Sequence, residues 1–98
     1  MIVITGSVIA KAGQLERALA LSLEHVRRSR LEPGCVSHAV HRDVEHPDRL
    51  FFFEEWADQA AVAAHFAVPE SRAFVRALGE LAAQAPTLSM YDATRLRG

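Results

Sequence analysis

The sequence predicts an α+β domain: a four-stranded antiparallel sheet with helices on one face. Three observations carry that expectation. Strand-like runs rich in β-branched and aromatic residues occupy residues 2–10 and 49–56, with Phe51, Phe52 and Phe53 in succession. Residues 14–30 repeat apolar side chains at helical spacing. After Asp58 comes an Ala-rich, strongly helix-forming stretch.

Each element follows from its residues. In the first strand Ile2, Ile4 and Val8 share one alternation and Val3, Thr5 and Ile9 the other, so burial on both sides is expected. Gly13 breaks the strand. The first helix presents Leu15, Ala18, Leu19, Ser22, Leu23 and Val26 as its stripe, with Glu16, Arg17, Glu24, Arg27 and Arg28 facing elsewhere. Glu32-Pro33-Gly34 stops it, because proline disfavours helix in the residue before it and glycine tolerates positive φ. A second strand runs from Cys35 to about Val44, turns at Glu45-His46-Pro47-Asp48, and returns as the third strand from Arg49 to Trp56. Asp58 is a good N-cap for a helix reaching Ala67. Val68-Pro69 interrupts that helix, and another is expected from about Glu70 to Ala85, with Phe74, Leu78, Leu81 and Ala82 inward and Pro86 ending it. The stretch from Thr87 to Arg95 reads as the last strand. Strand, helix, strand, strand, helix pair, strand is the split-βαβ, ferredoxin-like order.

Composition narrows the function classes. A 98-residue chain that is 50% hydrophobic and 23% charged reads as one globular domain over residues 1–98. A net charge of −1 gives no electrostatic footprint for nucleic acid or for an acidic membrane. There is no stretch long enough to span a bilayer and no signal-like N-terminus, so a cytoplasmic protein is expected. A single cysteine, Cys35, excludes an internal disulfide and a four-cysteine metal site. Phosphate loops, dinucleotide fingerprints and nucleophile elbows are missing from the sequence.

The second face of the sheet bears on assembly. An antiparallel sheet with one wet side alternates apolar and polar, yet the first strand and Leu50-Phe51-Phe52-Phe53 do not. No spare segment remains to cover that face, so a homodimer packing sheet on sheet is expected.

Glu32-Pro33-Gly34-Cys35 entering a strand, Glu54-Glu55-Trp56 closing the next, then Ala57-Asp58 and a helix ending in Ala64-His65-Phe66 before Pro69, resemble the antibiotic biosynthesis monooxygenase (ABM) family. The likeness spans essentially the whole chain. It implies a ferredoxin-like protomer, a homodimer whose sheets close into an αβ-barrel, and a pocket between sheet and helices. Members of that family include cofactor-free oxygenases of quinol- or anthrone-like aromatics, haem-degrading enzymes and an isomerase of a signalling molecule. The Asn, Trp and His of the haem-degrading members have no counterparts at Thr5-Gly6-Ser7, His65 and Phe74-Val75. Quinol-type members carry an aromatic where His38 stands, and a His where this chain has Glu70.

Two catalytic candidates follow, His65 and His38. An imidazole is the side chain best suited to exchange a proton near neutral pH, and His65 sits late in a helix facing the sheet. The competing reading is a packing His satisfied by a backbone carbonyl. His38 either lines a cavity beside Val40, which its place in the family pattern favours, or fills a hairpin position. His38 and His41 form H-x-x-H on a strand, but residues three apart on a strand face opposite ways, so no metal is expected there. For substrate binding the candidates are Trp56, Phe53, Tyr91 and Glu54. Trp56 would supply a flat wall and an N–H donor, or plain core. Tyr91 is equally readable as an interface residue. Glu54 and Glu55 point to opposite faces, one of them open to burial against an Arg. His46 belongs to the turn and to solvent, and Cys35 reads as a small buried hydrophobe rather than a nucleophile.

The resemblance implies a cofactor-independent monooxygenase that oxidises a small quinol- or anthrone-like aromatic with O2, free of haem, flavin and metal. The alternative is a non-catalytic dimeric pocket protein that binds a hydrophobic metabolite.

Overall fold

A computed structural model describes residues 1–98 throughout. Its elements are β1 (Ile2–Ile9), α1 (Leu15–Ser29), β2 (Cys35–Arg42), β3 (Arg49–Trp56), α2 (Gln59–Ala67), α3 (Pro69–Leu81) and β4 (Thr87–Asp92). The strands form one antiparallel sheet in the order β2-β3-β1-β4, the expected ferredoxin-like topology. Helices cover one face.

Local chemistry sets the boundaries. Gly34, at φ +83°, turns the chain between α1 and β2. The Asp58 side chain accepts from the Ala61 N–H at 2.8 Å and caps α2 as expected. Pro69 opens α3 at a position where its missing N–H costs nothing. The β2–β3 turn is held by Asp43, which accepts from the Glu45 N–H and from Arg49, both at 2.9 Å.

Three expectations need correction. The last helix ends at Leu81 rather than Ala85, because Ala82 leaves helical geometry to bridge Ala10 and the Ala83 N–H donates to the Ile9 carbonyl. Sheet pairing outcompetes another helical turn. Strands β2 and β4 stop at Arg42 and Asp92, short of Val44 and Arg95. Finally, β1 is buried on one alternation only within the protomer: Ile2, Ile4 and Val8 are buried, whereas Val3, Thr5, Ser7 and Ile9 are half-exposed.

The buried alternation builds the core. Ile2, Ile4, Trp56 and Val62 form one cluster, and Val8, Ala18, Val26, Leu50, Phe52 and Leu78 belong to another. The open face presents Val3, Thr5, Phe51, Phe53, Glu55 and Tyr91.

Candidate functional site

Strand parity decides which polar residues enter the protein. On β3, Leu50, Phe52, Glu54 and Trp56 point under the helices and are buried. Across the pairing register His38 faces Glu54, so β2 and β3 bring an imidazole and a carboxylate to one inner spot. His38 Nε2 lies 3.2 Å from Glu54 Oε1, a close contact without hydrogen-bond alignment, and both His38 ring nitrogens are sealed without a partner. The Trp56 indole N–H donates to the same Glu54 oxygen at 2.9 Å. Burial pushes the Glu54 carboxyl upward, but the His38 ring, the Trp56 N–H and His65 outweigh it and hold the group below its ordinary range.

From α2, His65 reaches the same spot. Its ring lies over Trp56 at 4.6 Å between centroids, and its Nδ1 is 2.9 Å from Glu32 Oε1. A carboxylate can only accept, so Nδ1–H is the donor, and in the neutral ring Nε2 keeps a lone pair. Nε2 has no protein partner and is not among the sealed orphan atoms, which leaves it facing the cavity that His65 lines. A carboxylate behind a histidine is the arrangement that orients a general base.

Sequence reasoning passed over a third imidazole. His25 is buried on α1, 5.3 Å from both His38 and His65 between ring centroids. It stacks on Phe74 at 4.0 Å, nearly parallel. Arg28, expected to face away, turns in instead: Nη2 donates to His25 Nδ1 at 3.0 Å and to the buried Ser71 Oγ at 3.1 Å. Burial, with the neighbouring His38 and His65 rings and the Arg28 guanidinium, drives the His25 pKa down to about 3, so the ring is neutral across the physiological range. The signal for His25 lay in the helix register, since Ala18, Ser22, His25 and Ser29 recur at helical spacing and are buried together.

Of these groups, His25, Glu54, His65, Ser71 and Phe74 line a cavity of about 780 Å³ between the sheet and the helices. Its wall is mainly apolar, with Phe52, Phe66, Phe74, Val75, Leu78 and Leu88. Gly6 is the inward position of β1 that carries no side chain, and the cavity runs over it. Of the sequence candidates, His65 and Glu54 line the cavity, while His38 and Trp56 stand directly behind them. Phe53 and Tyr91 do not join them. Both lie on the opposite face, because Phe53 is one residue out of step with Phe52 and Tyr91 pairs with Val3. Glu54 is indeed the buried member of its pair, but its partner is His38 rather than an Arg. Glu55 accepts from Ser37 on the other face. His41 and His46 are exposed, and burial beside Glu32 and Glu54 pushes the Cys35 thiol up, away from a reactive thiolate.

Residues 1–77 match the family profile described as antibiotic biosynthesis monooxygenase. The chain belongs to that family. An uncharacterised Synechocystis sp. protein is 33% identical to this ABM chain over 90 residues, which cover 92% of the chain and 61% of the relative's own length. Among solved structures, one described as an antibiotic biosynthesis monooxygenase superposes with a TM-score of 0.89 at 27% identity, covering 97% of this chain and all of the other. A Shewanella oneidensis protein gives 0.87 at 25% identity over 92% and 87% of the two chains. A Deinococcus radiodurans protein gives 0.94 at 23% identity over 100% and 97%, a likeness of fold alone.

The three histidines of this ABM protein also form a possible metal cradle, since one nitrogen from each lies within 4.8 Å of the others. A tetrahedral cation with bonds of about 2.1 Å brings its nitrogens to roughly 3.4 Å. Both His25 nitrogens are committed, one accepting from Arg28 and the other carrying the proton, so ligation requires Arg28 to let go. As drawn, donors and acceptors suit a hydroxyl group better than a cation.

Proposed function

We propose that this ABM protein is a cofactor-independent monooxygenase that oxidises a small quinol- or anthrone-like aromatic with O2, using His65 oriented by Glu32 as general base. The observation that carries this reading is His65, held by Glu32, in the wall of a cavity that Phe52, Phe66 and Phe74 also line. An aromatic ring lies among Phe52, Phe66 and Phe74, and its acidic hydrogen meets the free His65 Nε2. Proton transfer leaves a delocalised anion that passes one electron to O2, and the radical pair combines at carbon as a hydroperoxide. In an anthrone the ring CH2 then becomes C=O. One oxygen atom enters the product and the other leaves as water with the two hydrogens. The protein contributes positioning, deprotonation and stabilisation of charge.

In this scheme His38 and Trp56 are positioning residues that hold the Glu54 charge in place. The reading includes a cytoplasmic homodimer joined through the open face of the sheet, with Phe53 and Tyr91 at the interface.

Oxygen uptake with a panel of quinols and anthrones tests it. Uptake by the native protein and its loss in His65→Ala, by about 10² to 10⁴-fold, is the expected result. The apolar bulk of the cavity favours one second reading, a binding protein for a hydrophobic metabolite. Tight binding of panel members without oxygen consumption would establish that reading instead.

A further inference from the structure

We infer that His25 is a tautomer-locked hydrogen-bond donor, and that with His65 it forms a binding subsite for one aromatic hydroxyl group or the oxyanion made from it. The inference deepens the monooxygenase reading by naming the group its substrate presents, and it rests on that reading for turnover only.

A guanidinium has five donors and no acceptor, so His25 Nδ1, which meets Arg28 Nη2 at 3.0 Å, must offer its lone pair. The proton of the neutral ring is then on Nε2. Nη2 has two hydrogens, and Ser71 Oγ at 3.1 Å takes the second, which fixes the guanidinium on both sides. Stacking on Phe74 at 4.0 Å stops the ring from turning. Like His65 Nε2, His25 Nε2 has no protein partner and is not a sealed orphan, and His25 lines the cavity. An N–H donor and a bare ring nitrogen therefore both face the cavity, on rings whose centroids are 5.3 Å apart and which bring one nitrogen of each within 4.8 Å of the other.

A single oxygen fits that gap. Two hydrogen bonds of about 2.8 Å meeting at one oxygen at a tetrahedral angle span roughly 4.6 Å. A hydroxyl accepts from His25 and donates to His65. When the proton crosses to His65, the oxygen becomes an anion that still faces an N–H, and the imidazolium faces the Glu32 carboxylate. The wall carries both signs of charge, Glu54 against Arg72 and Arg76, so selection rests on the histidine pair itself: an aryl carboxylate has no proton to give His65, and an aryl hydroxyl is preferred to it. The groups bearing on His25 are Arg28 on its own helix, His38 from the sheet and His65 from α2, with uncharged Ser71 and Phe74 from α3.

Two measurements on the native protein test the inference without turnover. Long-range ¹H–¹⁵N spectra of the histidine rings report tautomers, with residues assigned through single variants. The expected pattern is a proton on Nε2 of His25 and on Nδ1 of His65, and a proton on His25 Nδ1 would overturn the assignment. The second measurement uses 4-nitrophenol, too electron-poor to reduce O2, whose phenolate absorbs in the visible. On binding, its pKa is expected to fall by at least one unit, with 4-nitrobenzoate binding tenfold or more weakly. In His25→Phe the pKa shift is expected to vanish, and in His25→Gln, which keeps an N–H donor, to be partly restored. An unshifted bound phenol, equal affinity for nitrobenzoate, or an unchanged shift in His25→Phe would each reject the subsite. If either variant does not fold, the native tautomers and the native pKa shift decide alone. Absence of oxygen uptake with every quinol, alongside these tautomers and bound phenolate, would remove the monooxygenase reading and leave the subsite standing. Uptake with a proton on His25 Nδ1 would do the reverse.

Discussion

Glu32 and His65 lie 33 residues apart in the chain, yet their side chains meet at 2.9 Å. The loop after α1 delivers the carboxylate and α2 delivers the imidazole, so the pair exists only when both are docked on the sheet. If Glu32 orients a base, Glu32→Gln keeps an acceptor for Nδ1–H but removes the charge that stabilises an imidazolium. The expected outcome is a fall in kcat of about tenfold or more, part of the 10² to 10⁴-fold that general-base loss costs. KM and melting temperature should change little. Steady-state oxygen uptake beside thermal melts checks this, and an unchanged kcat would remove Glu32 from the mechanism.

Gly34 holds that loop. Its φ of +83° is a left-handed conformation, and a Cβ there would stand 2.5 Å from the Cβ of Ala61 on α2. Gly13 has a similar φ of +79° with nothing within 4 Å. The pair separates backbone strain from collision. Gly13→Ala should cost only the conformational term, about 1 to 2 kcal/mol. Gly34→Ala should cost distinctly more and push α2 away from the loop, loosening Glu32 from His65. Chemical denaturation of both variants checks this, and equal losses would contradict the contact with Ala61.

What the sequence made legible and what it hid both have physical causes. The element order and topology were readable because strand alternation, the Asp58 cap and the Pro-Gly stop are local signals. His38, Glu54, Trp56 and His65 could be singled out because short motifs flank them. His25 and Arg28 were hidden by a small rotation of the α1 stripe. Ser22 and Ser29 are buried there because their hydroxyls donate back to the carbonyls of Ala18 and His25, both at 2.7 Å. The stripe read from sequence includes Ser22 but stops at Val26, and it leaves out Ser29, whose polarity is satisfied within its own helix. Three successive phenylalanines carry no parity of their own, and a shift of one residue changes the face, so Phe53 lies opposite Phe52. Tyr91, readable as a pocket or an interface residue, lies on the open face with Phe53.

Buried His25 makes stability depend on pH in a calculable direction. Its pKa falls from an ordinary 6.5 to about 3 on folding, so between those values the unfolded chain binds a proton that the folded one refuses. Stability is therefore complete above pH 6.5 and is lost as pH falls, by about 1.4 kcal/mol per unit or roughly 2 kcal/mol at pH 5. Glu54 adds to the loss at lower pH. Its depressed carboxyl stabilises the fold above the ordinary glutamate range, and that contribution disappears as pH falls through the folded value. Urea denaturation from pH 7.5 to 5 should show the decline, and His25→Gln should flatten it over that range. A native profile that is level from pH 7 to 5 would show that His25 is not held neutral.

The open sheet face carries the last prediction. Phe53 is 37% exposed and Tyr91 53% exposed, on a face that also presents Val3 and Phe51. On the central strand β3, Phe53 is flanked by Thr5 and Ala39, both small, so its ring stands above its neighbours. A second copy covering that face would bury on the order of 1,600 Å² in total, the usual size of a specific contact. Polar Thr5, Ser37 and Glu55 interleave with the apolar residues on that face. Charge insertion at its centre is the sharper probe. Phe53→Asp places a carboxylate where the partner's apolar surface would sit, and by two-fold symmetry it places two. Because Phe53 points away from the cavity, 4-nitrophenol binding within each protomer should survive unless the barrel itself shapes the pocket. Light scattering at micromolar concentration is expected to give a dimer for the native chain and about 10.8 kDa for the variant. A native mass near 10.8 kDa would refute the dimer, and a variant that remained dimeric would move the interface off this face.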